Sequence, residues 1–263
     1  VSGPNKGSPS IGSDGMVYVE GNNKLYALTS TSLGLADSPW PKFGRNNQNT
    51  GRSRLQDGLI AYYPFNGNAN DESGNGNHAT VNGAILASDR NGTESSAYYF
   101  DGADDYITRA LPTGLGGNTP FTVSLWFNPS QNKVQSYLTA FGSAGTDRAH
   151  HIGFPYATGQ FQAGFYGRGV DTPYIAPLNQ WQHMILSWDG DQTQTVYIDG
   201  VKISENNSSG AVPNINPAGV LNIGKQVGHA EYFQGRIDEV RIYNRALKVS
   251  EVGELNQTER PTY

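Results

Sequence analysis

From Gly58 onward the chain breaks into short apolar runs with turn residues between them: LIAYYPF, AYYF, DYIT, FTVSLWF, YLTAF, HHIGF, QFQAGFY, WQHMILSW, TVYID, VKIS, VLNIG and RIDEVRIY. None is long enough for an ordinary helix. Gly, Asn, Asp and Pro punctuate them at even spacing, the pattern of an all-β sandwich or barrel. Within one run the alternation is explicit. Phe121, Val123, Leu125 and Phe127 share a parity, and Thr122, Ser124 and Trp126 take the other, as expected when successive side chains leave a strand on opposite faces. Asp199-Gly200 between VYI and VKI marks a tight hairpin. Only residues 247–256 read as helix.

Composition narrows the function. The chain has 263 residues, 36% of them apolar and only 16% charged, with a net charge of −5 and no basic block. That excludes an electrostatic footprint for nucleic acid or an anionic membrane surface. No apolar run reaches membrane-spanning length. Cysteine is absent, which removes disulfides and thiolate metal sites. The balance fits a bacterial exported protein, located outside the cell, on its surface or in the periplasm. The start at Val1 reads as a piece of a longer chain with other domains. Sequons at Asn91, Asn206, Asn207 and Asn256 are expected by chance in so Asn-rich a sequence.

Residues 8–29 carry two apolar runs, Met16–Val19 and Leu25–Leu28, separated by Gly21-Asn22-Asn23, which predicts a β-hairpin. With WPKFGRNNQNTGR at 40–52, this segment resembles one blade of a pyrroloquinoline-quinone-like β-propeller repeat. A single blade forms no cofactor site, so no quinone function is carried over. The expected organisation is a partial blade and connector at 1–52, a linker at 53–57, a sandwich domain at 58–257 and a tail at 258–263.

Three further segments carry a second resemblance: FDGADDYI (100–107), WQHMILSWDGDQTQTVYIDGVKI (181–203) and GRIDEVRIYNRALKVSEV (235–252). Together with the opening GLIAYYPFNGNANDESGNGNHAT they resemble the laminin-G-like, concanavalin A-like lectin/glucanase domains of bacterial exported proteins. The resemblance implies a jelly-roll β-sandwich of two antiparallel sheets, commonly with one structural calcium ion. It does not imply one activity, because the fold hosts lectins, carbohydrate-binding modules, adhesion domains, glycosidases and lyases.

The opening loop contains Asp71, Ser73 and Asn75 at alternate positions, then Gly76 and Asn77. Oxygens at that spacing can wrap a hard cation. The twelfth position from Asp71 is Asn82 rather than Glu, so another donor must close the site. Asp238 is the candidate, since strand parity groups it with Val240 and Ile242, which should face the core, where a carboxylate needs a cation. The expectation is a calcium ion between Asp71 and Asp238, with Ser73, Asn75, Asn77 and Asn66 as further ligands and His78 as a buttress. The alternative is that these side chains only cap turns.

Hydrolase, metalloprotease, phosphate-loop and dinucleotide motifs are all missing, as is the Glu-x-Asp-x-(x)-Glu spacing of same-fold glucanases. Asp104-Asp105 reads as turn chemistry. A non-catalytic, lectin-like domain binding a poly- or oligosaccharide is the leading expectation, from exposed aromatic and polar residues in 146–151, 166–174 and 225–233. His150, Arg168, Tyr174, His229 and Tyr232 are the candidate ligand contacts. Phe233, Trp181 and Trp188 are expected in the core, and Trp126 on the exposed parity. The alternatives are a protein-interaction or adhesion module, and a polysaccharide lyase drawing on Arg148, His150, His151, Tyr156, Tyr166 and Arg168.

Overall fold

A computed structural model of the protein describes residues 10–11, 16–21, 24–29, 54–166, 168–207 and 213–258. Two compact units divide the chain, Val1–Asp57 and Gly58–Tyr263. In the first, β1 (Ser10–Ile11), β2 (Met16–Gly21) and β3 (Lys24–Thr29) form an antiparallel meander. Met16 faces Thr29 and Gly21 faces Lys24, the expected hairpin. These three short strands form a sheet of their own and close no propeller blade ring among the described residues.

The second unit is a sandwich. Its first half supplies β4 (Leu59–Tyr63), β5 (Thr80–Asn82), β6 (Ile85–Ala87), β7 (Ala97–Asp101), β8 (Tyr106–Ala110), β9 (Phe121–Pro129), β10 (Ser136–Gly142) and β11 (Ala149–Phe154). The second half adds β12 (Gln160–Phe165), β13 (Arg168–Ile175), β14 (Gln182–Trp188), β15 (Thr193–Ile198), β16 (Val201–Asn207), β17 (Val220–Ile223), β18 (Gln234–Tyr243) and the helix α1 (Val249–Thr258). One sheet has seven strands in the order β13-β12-β11-β10-β17-β8-β5. The other has eight, in the order β16-β15-β14-β9-β18-β7-β6, with β4 also paired to β18. Every pairing is antiparallel. The first and last strands of the unit therefore meet, as a jelly roll requires.

Period-two alternation fills the space between the sheets. Phe121, Val123, Leu125 and Phe127 of β9 are fully buried and face Phe141, Phe154, Phe161 and Phe165 of the opposite sheet. Edge-to-face rings dominate, with Phe165 against Trp188 at 5.0 Å and 76°, an arrangement favoured by the ring quadrupole. Phe233 plugs the same core beside Phe100. Trp188 is core as expected, whereas Trp181 is only half-buried.

His150 also lies in this core, a correction to its expected role as a ligand contact. In HHIGF one histidine of the adjacent pair must turn inward, and the ladder turns His150. Its ring packs among Phe121, Phe141 and Phe165 at 5.0–5.3 Å. Nε2 meets Gln194 Oε1 at 2.9 Å. Burial pushes its pKa down to about 3, so the ring is neutral.

The outer face of the eight-stranded sheet is capped by α1. Val252 and Leu255 are buried beneath the helix. Glu251 starts it by accepting the Lys248 N–H at 2.8 Å, half of a capping box, and receives both guanidinium nitrogens of Arg245 at 2.8 Å. Trp126, expected to be exposed, is 3% exposed. It stacks on His183 at 5.0 Å and 7°, and the Arg90 guanidinium covers its ring. His183 links Ser124 Oγ at 2.8 Å to Asn256 Oδ1 of α1 at 3.2 Å.

Asp238 belongs to this outer layer. Ile237 opposes the core residue Phe127 and Asp238 opposes Trp126, but the next aligned pair is Arg241 with Ser124. One extra residue is accommodated there as a β-bulge, with Glu239 at a φ of 54°. Ile237, Val240 and Ile242 thus all face the core, which strict alternation forbids. Parity counted through the bulge placed Asp238 on the wrong face. Its carboxylate instead meets Arg90 Nη1 at 2.6 Å and the Glu239 N–H at 2.7 Å.

These buried groups set the pH response. Burial lowers His150 and His183 to about 3 and His151 to about 4 from an ordinary 6.5. Below pH 6.5 the unfolded chain takes up protons that the folded chain refuses, so stability falls with falling pH. Burial, reinforced by Glu239 and opposed by Arg90, raises Asp238 to about 8 from 3.8. Its contribution is complete below pH 3.8 and is lost as pH rises to about 8. Three histidines outweigh one aspartate between about pH 4 and 6.5, and the aspartate acts alone above. The expected outcome is a melting temperature that peaks near pH 6.5, dropping steeply toward pH 4 and gently toward pH 8. Calorimetric scans across that range check it, and a monotonic profile would contradict it.

Candidate functional site

A cavity of about 280 Å³ opens on the outer face of the seven-stranded sheet. The alternation that buries His150, Phe161 and Phe165 sends His151, Gln162 and Tyr166 to this face, where Tyr137 joins them. Gln135 lies on one side, and the 225–232 loop brings Gln226, His229 and Glu231 over the other. The three segments expected to carry ligand contacts, 146–151, 166–174 and 225–233, each contribute at least one lining residue.

Aromatic rings build the walls. His151 sits edge-to-face on Tyr137 at 5.3 Å and 80°. Tyr166 stacks on His229 at 5.7 Å and 24°, and its hydroxyl meets His229 Nε2 at 2.5 Å. His229 Nδ1 is 3.8 Å from Glu231 Oε1. Burial raises the Glu231 carboxyl above the usual range, with His229 opposing. Amides, phenols, imidazoles and one carboxylate thus converge in one hollow with aromatic surface, a lining suited to a polar ligand rich in hydroxyls.

Of the expected ligand contacts, His229 alone lines the cavity. The Arg168 side chain lies outside the described residues. Tyr174 is half-buried against the core and donates its hydroxyl to Gln182 Oε1 at 2.6 Å, with burial pushing its pKa up to about 12. It is a packing residue. Tyr232 stands beside Tyr106 with the Lys225 ammonium over both rings. The lyase set also disperses. His151 and Tyr166 meet in the cavity, but His150 points the other way, Arg148 is exposed, and Tyr156 pairs with Asp171. Gln135, Tyr137, Gln162, Gln226 and Glu231 escaped the sequence reading. The parity of HHIGF and QFQAGFY would have given Gln162, whereas the others sit on loops or next to a register shift in β10.

The 66–77 loop does not share a site with Asp238. Asp71 Oδ1 accepts the N–H groups of Tyr62 and Ser73, both at 2.9 Å. Oδ2 accepts the Ser73 hydroxyl at 2.9 Å and the Asn77 N–H at 2.8 Å. Although burial opposes it, these bonds hold the carboxyl below its ordinary pKa. Asn75 and Asn77 direct their amide N–H groups at the Ile60 carbonyl. Arg109 donates to Asn77 Oδ1, and His78 Nδ1 accepts the Asp71 N–H at 3.1 Å. Asn66 is exposed. Gly74 and Gly76 turn the loop at φ of 88° and 71°, values that glycine adopts freely. With the acceptor positions of Asp71 filled and Asp238 paired to Arg90, the residues do not fit the two-aspartate calcium clasp. The clustered carboxylates of Asp101, Asp104 and Asp105 close their own turn, Asp101 accepting the Ala103 N–H at 2.7 Å.

Asp71 is the keystone of that loop. Replacing it with Ala strands three backbone donors and one hydroxyl, each bond to a charged acceptor being worth about 1.5–3 kcal/mol. Allowing for water at the new gap, Asp71→Ala is expected to destabilise the domain by about 2–4 kcal/mol. Denaturant unfolding measures this, and a change below about 0.5 kcal/mol would contradict the assignment.

Comparison with known proteins agrees with this architecture. A family model described as the concanavalin A-like lectin/glucanases superfamily matches residues 101–253, more than half of the chain. Domain 4 of AbnA, a GH43 extracellular arabinanase from Geobacillus stearothermophilus solved with arabinotriose, is 27% identical with a TM-score of 0.53. That match covers 76% of this chain and 98% of the domain. The binding domain of Paraclostridial Mosquitocidal Protein 1 is 19% identical at a TM-score of 0.61, over 78% of this chain and 53% of that one. The botulinum neurotoxin serotype D ligand binding domain, solved with N-acetylneuraminic acid, is 15% identical at 0.61, over 78% and 52%. The chain spans about half the length of these toxin domains, and they share its fold alone. A search of curated proteins gives no match. The family match, the two-sheet topology and the terminal strand pairing agree, and the chain belongs to the concanavalin A-like lectin/glucanases superfamily.

Proposed function

We propose that the domain binds carbohydrate, without catalysis, in the cavity on the seven-stranded sheet, as one module of an exported multidomain bacterial protein. The observation that carries this is the lining: aromatic walls from Tyr137, Tyr166 and His229 beside amide and carboxylate groups of Gln135, Gln162, Gln226 and Glu231. Sugars present apolar ring faces and dense hydroxyls, and such a surface meets both. The likeness to an arabinanase domain seen with arabinotriose supports the ligand class, and its extracellular origin supports export. At about 280 Å³ the cavity is near the lower end of the range for small-molecule sites, roughly 300–1,000 Å³, which suits one or two sugar units of a chain.

A lyase reading has less support. Neutralising a uronate needs a cation, and among the described lining residues there is no arginine or lysine. A calcium ion shared by Asp71 and Asp238 is left out of the proposal, because hydrogen bonds fill the Asp71 acceptor positions and Asp238 pairs with Arg90. Melting curves in excess EDTA and in calcium are expected to superimpose, and a chelator-induced drop of several degrees would reinstate the ion.

Titration calorimetry with neutral trisaccharides tests the binding reading. His229→Ala and Tyr166→Phe each remove a wall or a hydroxyl, and each is expected to weaken binding about tenfold. Because His229 is 41% exposed at its side chain, its removal should leave the melting temperature nearly unchanged. Binding that is indifferent to both substitutions would place the ligand elsewhere.

A further inference from the structure

A chain of contacts that starts outside the cavity sets the tautomer of one ring in its wall. Asp171 on the edge strand β13 accepts from Gln162 Nε2 at 2.8 Å. An ionised carboxylate only accepts, so this contact fixes which end of the Gln162 amide points where. Gln162 Oε1 then faces His151 Nε2 at 3.4 Å. A carbonyl oxygen also only accepts, so Nε2 carries the proton and Nδ1 is left as a bare lone pair. His151 is 5% exposed, and its Nδ1 is buried with no protein partner among the described residues. Burial lowers the His151 pKa to about 4, so near neutral pH the ring brings no positive charge.

Glu231 is the acceptor that carries charge. Its carboxylate faces the same cavity, and no lysine or arginine side chain among the described lining residues balances it. An anionic acceptor in the lining calls for a ligand that donates through O–H groups. A sugar hydroxyl does so, whereas a sugar carboxylate would meet a like charge.

We propose that the cavity takes an uncharged sugar through its hydroxyl hydrogens and turns sugar acids away, with Glu231 setting that selectivity. This rests on the carbohydrate reading above and adds the ligand's charge class to it. Like charges about 6 Å apart in a partly dry cavity repel strongly enough for about tenfold or more in affinity.

The test is calorimetric titration of the full chain and of Glu231→Gln with neutral trisaccharides (arabinose, xylose, glucose and galactose series) and with trigalacturonate. Circular dichroism and melting confirm that the variant is folded. In the native chain at least one neutral trisaccharide is expected to bind about tenfold or more tighter than trigalacturonate. In Glu231→Gln neutral binding weakens, since an acceptor is lost, and the neutral-to-acid affinity ratio falls at least about tenfold. Trigalacturonate binding the native chain as tightly as any neutral probe would overturn the proposal while leaving the carbohydrate reading in place. An unchanged ratio in the variant would overturn the role of Glu231. No binding of any probe would overturn both.

Discussion

The bulge at Asp238-Glu239 is the constraint on which the sandwich turns. β18 is its longest strand, and it pairs β9 along one side while β7 and β4 share the other in succession. A flat ten-residue strand would send Ile237 to the core and Val240 out of it, or the reverse. The inserted residue lets Ile237, Val240 and Ile242 all reach the core and bends the strand where it passes from one neighbour to the next. The cost is an acidic residue on the outer face, offset by the Arg90 contact and the Trp126 ring stacked beneath it. One local irregularity thereby closes the jelly roll, seats its first strand and fixes the loop that carries Arg90.

Much of this fold was legible because period-two patterning over short runs has few other solutions. The β9 alternation and the Asp199-Gly200 turn could both be read from residue type and spacing. The failures share one cause, which is that parity holds only where the ladder is regular. It misplaced Asp238 because a bulge leaves no signature in IDEV. It chose the wrong member of the His150-His151 pair because alternation states that the two differ, not which faces the core. The lining residues that escaped notice, Gln226 and Glu231 among them, sit on a loop whose path depends on contacts distant in sequence.

The outer layer also shows how little a constellation means without access. Ser124, His183 and Asn256 form a hydroxyl–imidazole–amide chain with distances of 2.8 and 3.2 Å, the connectivity of an activated nucleophile. All three are buried where α1 meets the sheet. The chain anchors the helix to the sheet, since Asn256 also donates to the Asp199 carbonyl at 3.0 Å, and its polar groups are satisfied by one another.

Asp171 carries a consequence that reaches beyond its own strand. It lies at the margin of the seven-stranded sheet and lines no part of the hollow, yet its carboxylate orients the Gln162 amide, and that amide settles which nitrogen of His151 is bare. The tautomer of a ring in the wall of the hollow is therefore decided two side chains away. Sequence change at this sheet margin can switch that tautomer while every residue that lines the hollow stays the same.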